Sequence, residues 1–224
     1  MDAVSVIALT MGVAWASGIN LYATIFMLGL MGMTGHAVLP EELAFVSDPM
    51  VMLAAGFMYC VEFFTDKIPG VDSGWDSLHT FIRIPAGALL AASAVGDVSP
   101  AMELSAALLG GTLAAGSHFT KAGSRLLINT SPEPFSNWTA SVSEDVLVIA
   151  GLWAALNYPW LFLAFLCLVV ILMIWLLPRL WRLIKALFAK LANLFRKQSN
   201  KTPTDEITLT GKKSTEINED QERR

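Results

Sequence analysis

The sequence predicts an all-α membrane protein with about six transmembrane helices, and three observations predict it. Hydrophobic residues make up 54% of the 224 residues, whereas charged residues make up only 15%. The mean hydropathy of +0.56 is typical of membrane proteins rather than of soluble domains. Several apolar runs also approach the roughly 20 residues that a helix needs to cross a bilayer. These properties exclude a soluble domain, and nothing in the sequence predicts a nucleic-acid partner or a cofactor.

Charge divides the chain into three parts. Residues 1–178 carry 13 acidic and 4 basic side chains, whereas the last 46 residues carry 6 acidic and 11 basic ones. Residues 1–178 are therefore predicted to form a polytopic membrane domain, and 179–197 a basic amphipathic helix beside the membrane. From Gln198 onward the chain is polar and poor in apolar residues, so residues 198–224 are predicted to be a disordered cytoplasmic tail.

Six apolar segments are candidate spans, and the first is unusual. It is too long for one straight helix, and Ser17-Gly18-Ile19-Asn20 predicts a break within it. The second and fifth segments are short. Cys60 and Cys167 lie in apolar runs, which predicts buried, unbonded thiols. The six segments run approximately from Ala3 to Met31, Pro49 to Phe64, His79 to Val95, Ala101 to Phe119, Val146 to Asn157 and Pro159 to Pro178.

The positions of basic residues predict the orientation. The connections at residues 32–48, 96–100 and 157–158 contain no Lys or Arg, whereas the alternate connections contain Lys67, Lys121 and Arg125. Basic connections are retained on the cytoplasmic side of a membrane. The sequence thus predicts a multi-pass membrane protein with both termini in the cytoplasm.

A weak internal similarity predicts an inverted repeat of three plus three spans. Gly18-Ile19-Asn20-Leu21 is followed by an LPE and then an apolar run to Gly56; Gly116-Ser117-His118-Phe119 is followed by an SPE and then an apolar run to Gly151. An odd number of spans in each copy makes the second copy inverted, as in many secondary transporters. The repeat predicts broken or short helices at 17–20 and at 116–118.

A charged cluster lies in the connection between Glu62 and Arg83. Asp72 or Ser73 is expected to cap a helix after the turn at Pro69-Gly70. Asp72, Asp76, His79 and Arg83 then share one face of that helix because they are three or four residues apart. His118, Lys121, Arg125 and Asn129 have similar spacing and form a second, basic stripe.

Two interpretations of these stripes stay open. In one, Asp72, Asp76, Glu62 or Asp66 neutralises Lys121, Arg125 or Arg83 in structural ion pairs. In the other, the stripes line a cytoplasmic-side vestibule in which carboxylates exchange protons or bind a cation, while Lys and Arg hold an anionic headgroup or solute. A metal site at Asp72, Asp76 and His79 lacks a second His or Cys nearby, so no metal is predicted. The candidate substrate- or ion-binding residues are Glu62, Asp66, Lys67, Asp72, Asp76, His79, Arg83, His118, Lys121, Arg125 and Asn20; no catalytic residue is identified.

A basic amphipathic helix follows the last span. The run from Arg179 to Lys197 alternates basic and apolar residues with a helical period. Such a helix is suited to lying along anionic lipids of the cytoplasmic leaflet, and the alternative is a helix that binds a protein. The predicted partners are therefore the bilayer and its anionic lipids, and a homo-oligomer is allowed.

Three segments together resemble a known family. They are GINLYATIFMLGLMG, the LP before the second span, and above all DKIPGVDSGWDSLHTFIRIPAGALLA. They resemble an uncharacterised bacterial integral-membrane family, domain of unknown function 4126, over roughly residues 5–175. The resemblance implies a multi-span fold in the bacterial inner (cytoplasmic) membrane and no activity, cofactor or catalytic residue.

The charge pattern and the predicted repeat favour a transporter of a small solute or a lipid headgroup. Asp72, Asp76 and His79 would be its proton or cation groups, and Lys121 and Arg125 its anion contacts. The alternatives are an intramembrane enzyme acting on a phosphorylated lipid, with Asp76 or His79 as acid or base, and a non-catalytic assembly or scaffold protein. An enzyme is less favoured than a protein without catalysis.

Overall fold

A computed structural model describes residues 1–130 and 134–199, and these residues are almost entirely helical. The predicted all-α class is confirmed, since the described residues contain no strand. α3 begins at Pro49, where Asp48 accepts a hydrogen bond from the Met50 amide at 2.8 Å, and α5 begins at Pro100. The elements are α1 Ala3–Ile19, α2 Leu21–Met33, a 3-10 helix Glu41–Ser47, α3 Pro49–Thr65, α4 Val71–Ala94, α5 Pro100–Ile128, α6 Pro134–Asn157 and α7 Pro159–Ser199.

Several helices are able to span a membrane. Within the described residues, two stretches are long and apolar enough on their own: Phe135–Asn157 and Pro159–Lys190. A third is obtained if the 3-10 helix and α3, which meet at an angle of 61°, are taken as one broken span. Helices α1 and α2 are apolar but shorter. Membrane association is thus supported, whereas the predicted six spans are not confirmed.

Polar and apolar side chains are distributed in the reverse of the pattern found in a soluble protein. Arg83 and Arg125 have no exposed surface, whereas 82% of Phe81, 69% of Leu89 and 65% of Leu168 are exposed. A soluble protein rarely exposes so much apolar surface or buries so many charges. The distribution suits a helical bundle surrounded by lipid.

Small residues allow α1, α4 and α5 to pack closely. Gly18 lies against Ser117 and the Ala114 carbonyl, and Gly87 also lies against Ala114. Gly110 lies against Ala91. Such close approach is the usual role of small residues in membrane helices. The small residues of the third and fourth predicted spans therefore make helix contacts.

The chain reverses direction at Asn20. The Asn20 amide donates to the Ala16 carbonyl and ends α1, and its side-chain oxygen accepts from the Ala23 amide at 2.9 Å and begins α2. Its side-chain nitrogen donates to Asp145 at 3.0 Å, which anchors the junction to α6. Asn20 therefore caps the end of α1 and the start of α2, which confirms the predicted break at this position.

The contacts of the two arms show that this break is a hairpin. Along α1, Ala14 lies near Gly110 and the Ile19 carbonyl accepts from Lys121, so α1 runs in the same direction as α5. Helix α2 runs back along α3, because Phe26 lies against Gly56 while Gly29 lies against Val46 and Met52.

The outer ends of the two arms lie at the same end of the bundle. A Cβ on Gly96, just after α4, would lie 3.7 Å from side-chain atoms of Pro40 and Glu42, which precede α3, so the start of α5 is near the start of α3. The prediction that Ala3 to Met31 forms one pass is therefore wrong, because a local break in sequence does not specify the angle between its arms. The prediction that both termini lie on the same face of the membrane assumed that Ala3 to Met31 crosses it once, so that prediction is not supported.

Other boundaries also differ from the prediction. The two charged connections are mostly helical: α4 begins at Val71, α5 continues to Ile128, and α6 begins at Pro134. Helix α5 is unbroken through residues 116–118, so the second break required by the repeat is absent. Helix α7 continues from Pro159 past the predicted end of the sixth span at Pro178 to Ser199.

Some predictions concern residues that are not described, and one concerning cysteine is wrong. Residues 131–133 and 200–224 lie outside the described part, as do the side chains of residues 134, 191 and 194–199. This includes most of the predicted tail and part of the basic amphipathic helix. Cys60 and Cys167 are unbonded but exposed rather than buried, because apolar positions in these helices also form the outer surface.

Candidate functional site

The residues predicted from the sequence meet inside the bundle. They lie where α3 ends, α4 begins, α5 ends and α6 begins, beside the α1–α2 junction. The connection from residue 66 to 70 supplies only two of them, because the others belong to helices. All eleven are buried: Asn20, Glu62, Asp66, Lys67, Asp72, Asp76, His79, Arg83, His118, Lys121 and Arg125.

Arg83 of α4 binds two carboxylates. Its Nη2 donates to Glu62 Oε1 at 2.5 Å, and its Nη1 donates to Asp76 Oδ1 at 2.9 Å. Nη1 also lies 3.3 Å from His118 Nδ1. A guanidinium can only donate, so His118 Nδ1 accepts and the imidazole proton resides on Nε2, which faces Thr80 Oγ1 at 2.7 Å. His118 is thereby held as a neutral imidazole beside the ion pair.

Lys121 of α5 joins the same carboxylates to the α1–α2 junction. Its Nζ donates to Asp66 Oδ2 at 2.8 Å and to Glu62 Oε1 at 3.3 Å. The third donor goes to the Ile19 carbonyl at 3.1 Å, one of the carbonyls left without a helical partner at the end of α1. All three donors of the ammonium group are therefore used within the protein.

Arg125 of α5 is tied to α6. It binds Glu144 in a bidentate manner, with Nη2 to Oε2 at 2.7 Å and Nε to Oε1 at 3.2 Å. Its Nη1 donates to the backbone carbonyls of Asn137 and Asp66 at 2.9 Å and 3.1 Å, and to the Asn137 side chain. Every nitrogen of this guanidinium has a partner, which gives Arg125 a strong structural role.

Sequence analysis missed the α6 side of the network. Asn137, Ser141 and Asp145 recur every four residues and are all buried, and Glu144 lies beside them. The sequence prediction begins the fifth span only at Val146, which leaves these polar residues in the connection before it. That spacing was the available signal.

Within the described part of the chain, no ion pair shorter than 4.0 Å includes Asp72, contrary to one of the predicted pairings. Its two oxygens accept from Asn129 Nδ2 at 2.8 Å and 3.0 Å, and Oδ1 also accepts from the amides of Gly70 and Ser73. Four neutral hydrogen bonds stabilise this carboxylate in place of an ion pair. The predicted cap at Asp72 or Ser73 is also wrong, because α4 starts at Val71 after Gly70, whose φ of 86° suits glycine.

His79 links α4 to the hairpin. Its Nδ1 donates to the Trp75 carbonyl at 2.9 Å, and its Nε2 faces the Tyr22 hydroxyl at 3.0 Å. The ring also stacks on the Trp75 indole with a centroid distance of 4.3 Å. His79 thus lies at the edge of the network, in contact with the first turn of α2.

Lys67 and Asp145 occupy a second part of the site. Lys67 Nζ donates to the Phe63 carbonyl at 2.9 Å and lies 3.4 Å from Ser141 Oγ, and burial lowers the pKa of this ammonium group. Asp145 Oδ1 accepts from Asn20. Within the described residues, no nitrogen–oxygen ion pair shorter than 4.0 Å includes either Lys67 or Asp145.

The network is richer in carboxylates than in cations. Four carboxylate oxygens are buried without a hydrogen-bond partner in the described part of the chain: Glu62 Oε2, Asp66 Oδ1, Asp76 Oδ2 and Asp145 Oδ2. An unpaired charge in apolar surroundings is costly, so excess negative charge favours binding a proton or a small cation. The members are six acids (Glu62, Asp66, Asp72, Asp76, Glu144 and Asp145) and four bases (Lys67, Arg83, Lys121 and Arg125).

An apolar cavity of about 350 Å³ opens beside this network. Its polar lining includes Lys121 and Glu144, and its apolar walls include Trp15, Phe165 and Met173. It therefore offers apolar volume next to a charged end. No three His, Cys, Asp or Glu side chains within residues 1–130 and 134–199 form a group that could hold a metal ion.

Comparison with known proteins returns one family. The family model described as Domain of unknown function (DUF4126) matches residues 7–179, which include every member of the network. No curated protein and no solved structure matches the chain significantly.

Proposed function

We propose that this chain, which belongs to the DUF4126 family, is an inner-membrane transporter of a small solute or a lipid headgroup that works through its buried charge network. One observation carries the proposal: the network is built around the junction of a discontinuous helix pair. The Ile19 carbonyl at the end of α1 accepts from Lys121, and Asn20 at the start of α2 donates to Asp145. Transporters commonly bind substrates and coupling ions at such interrupted helices.

The proposed topology has five complete passes, α3 to α7, and one re-entrant hairpin formed by α1 and α2. Lys67 lies in the connection between α3 and α4, at the network end of the bundle. The rule that basic connections stay inside puts this end in the cytoplasm. The start of α1 would then lie on the outer face, and the basic helix after Pro178 would contact anionic lipids of the inner leaflet.

The chemistry favours binding of a proton or cation at the carboxylates. Lys121 and Arg125 already use their donors on internal partners, so an anionic solute or headgroup would have to displace Asp66 or Glu144 from them. The cavity beside Lys121 and Glu144 would hold an apolar part of a lipid during that exchange. Transport would thus couple substrate binding to rearrangement of the ion pairs.

A structural scaffold is the second candidate, and the saturation of the basic groups favours it. Lys121 and Arg125 bridge α5 to α3, α6 and the α1–α2 junction. A network of this kind also fixes helix register without moving. The two candidates differ in whether the network exchanges partners.

Reconstitution tests the proposal. Purified protein is placed in liposomes that contain either a headgroup-labelled fluorescent phospholipid, whose movement is read by dithionite quenching, or trapped radiolabelled phosphate, whose release is counted. Asp76→Asn removes a charge from the network at a position 1% exposed. Asp97→Asn is the matched control, because Asp97 is exposed in the short connection before α5.

A transporter of this class would move one of the two probes, lose that movement in Asp76→Asn and keep it in Asp97→Asn. Movement that is equal in both variants would exclude the network as the transport site. No movement of either probe, together with loss of folding when residues 179–197 are deleted, would favour the scaffold.

A further inference from the structure

Asp145 differs from the other carboxylates of the network. Asp66, Asp76, Glu62 and Glu144 each have a basic partner, and Asp72 accepts four hydrogen bonds from neutral groups. Asp145 is 8% exposed, accepts from Asn20 through Oδ1, and has no partner at Oδ2 among the described residues. It lies in α6, in a stretch that is apolar enough to span a membrane.

Among the described residues, no basic side chain lies within 4.0 Å of the Asp145 carboxylate. Lys67 faces Asp145, but its ammonium group donates to the Phe63 carbonyl and lies over the Phe63 ring, 2.9 Å from the ring centroid. Lys121 is held by Asp66 and Glu62. The charged or titratable groups that face Asp145 are Tyr59 of α3, Asp66 and Lys67 of the connection, Lys121 of α5 and Glu144 of α6, with the amide of Asn20 at the hairpin.

Physical chemistry allows a buried carboxylate of this kind three states. An anion with one oxygen unpaired is expensive in an apolar region. A metal cation needs several oxygen ligands, but the groups nearest Asp145 include the NH2 of Asn20 and the ammonium group of Lys67, which are donors. A proton neutralises the group without further ligands and turns Oδ2 into a donor toward a neighbouring hydroxyl.

We propose that Asp145 carries an exchangeable proton and is the coupling site of the network. This inference rests on the proposed transport function for its role in coupling, but the proton itself does not depend on that function. The proton would come from water through the cytoplasmic end, where Lys67 is 8% exposed, and return to water on release.

The hydrogen bond from Asn20 gives the proton a mechanical effect. A hydrogen bond to an ionised carboxylate is about twice as strong as one to a neutral acceptor. Loss of the proton would therefore hold the α1–α2 junction firmly to α6, and protonation would loosen it. The hairpin that closes one side of the network would then move with the protonation state of Asp145.

Dicyclohexylcarbodiimide tests the inference, because this apolar reagent modifies protonated carboxyl groups in apolar surroundings. The full chain in liposomes is treated over a range of pH and its peptides are analysed by mass spectrometry. We expect an adduct on Asp145 that is lost as pH rises and is missing in Asp145→Asn. Asp72→Asn is the control and should keep the adduct on Asp145, because both oxygens of Asp72 already accept hydrogen bonds from neutral groups.

Infrared spectroscopy provides a second readout that does not need a folded Asp145→Asn variant. The wild-type protein should have a carbonyl band from a protonated carboxyl group, and Asp145→Glu should shift that band. Absence of the band at low and neutral pH, or an adduct confined to other carboxyl groups, would overturn the inference. If Asp145 forms the adduct but neither transport probe moves, the proton site is supported and transport is excluded. If a probe moves but Asp145 forms no adduct, the proton site is excluded and transport is not.

Discussion

Removal of Arg83 should destabilise the protein far more than removal of its partner Glu62. Arg83 is fully buried and binds both Glu62 and Asp76. Arg83→Gln would raise the excess of acids over bases in the network and leave both carboxylates with only the more distant Lys121, at 3.3 Å and 3.9 Å. Removing one partner of a buried pair costs about 3–5 kcal/mol.

Glu62→Gln should be milder. It lowers the excess of acids, and the glutamine oxygen can still accept from Arg83 and Lys121 at the position of Glu62 Oε1. We expect a loss of about 1–2 kcal/mol, which is typical for a weakened buried hydrogen bond. The double variant should lose less than the sum of the single variants, because each substitution removes part of the imbalance made by the other.

Equilibrium unfolding in mixed detergent and SDS micelles gives these free energies, with tryptophan fluorescence as the signal. In a thermal experiment each kcal/mol corresponds to roughly 2–4 °C for a domain of this size. The Asp97→Asn variant controls for the loss of one surface charge. If Glu62→Gln destabilises as much as Arg83→Gln, the network is not rich in acid and the reasoning is refuted.

Three further predictions follow from packing, burial and topology. Gly18→Ala should lower the free energy of unfolding by about 1–3 kcal/mol, because the added Cβ would clash with the Ser117 hydroxyl and the Ala114 backbone carbonyl. Gly74→Ala should raise it by up to about 1 kcal/mol, because no atom lies within 4 Å of the added Cβ. Equilibrium unfolding measures both changes. Burial in the folded state lowers the pKa of Lys67, so at alkaline pH the unfolded state binds more protons than the folded state. The stability of the protein should therefore rise as pH approaches 10.5, the ordinary pKa of a lysine. The melting temperature of Lys67→Met should not show this rise. In a cysteine-free background, Ala3→Cys should react with an impermeant maleimide on intact spheroplasts, whereas Ile68→Cys should react only after lysis.

A specific result would contradict each of these three predictions. Equal effects at Gly18 and Gly74 would exclude the close packing of α1 on α5. A melting temperature that responds to alkaline pH in the same way with and without Lys67 would exclude a buried ammonium group there. Labelling of Ile68→Cys from outside would invert the topology, and protection of Ala3→Cys would exclude the outer location of the start of α1.

Helical spacing was enough to predict the stripes of α4 and α5. Asp72, Asp76, His79 and Arg83 are all buried on one side of α4, because a helix brings residues three and four apart together. The break before Leu21 was also predictable from glycine and a polar amide. Pairing between Arg83 and carboxylates was one of two open interpretations, and the ion pairs at Glu62 and Asp76 agree with it.

The reversal at Asn20 could not be predicted in the same way. A one-residue interruption specifies where a helix ends, but the angle between its arms depends on distant contacts such as Asn20 with Asp145 and Lys121 with the Ile19 carbonyl. The α6 contribution was missed for another reason. Prolines and polar residues between 130 and 145 resemble a connection, although Asn137, Ser141 and Asp145 share a helix face.

Access to the network from the two faces of the membrane tests the central claim most directly. Thr80 is half-buried beside the network, with its hydroxyl against His118 and the Asp76 carbonyl. In a cysteine-free background, Thr80→Cys is exposed to an impermeant thiol reagent added either outside or inside oriented liposomes, with Asp97→Cys as the control for one-sided exposure. A transporter predicts slow modification of Thr80→Cys from both faces and of Asp97→Cys from one face only. Protection of Thr80→Cys from both faces would contradict transport through the network and leave it as a static core.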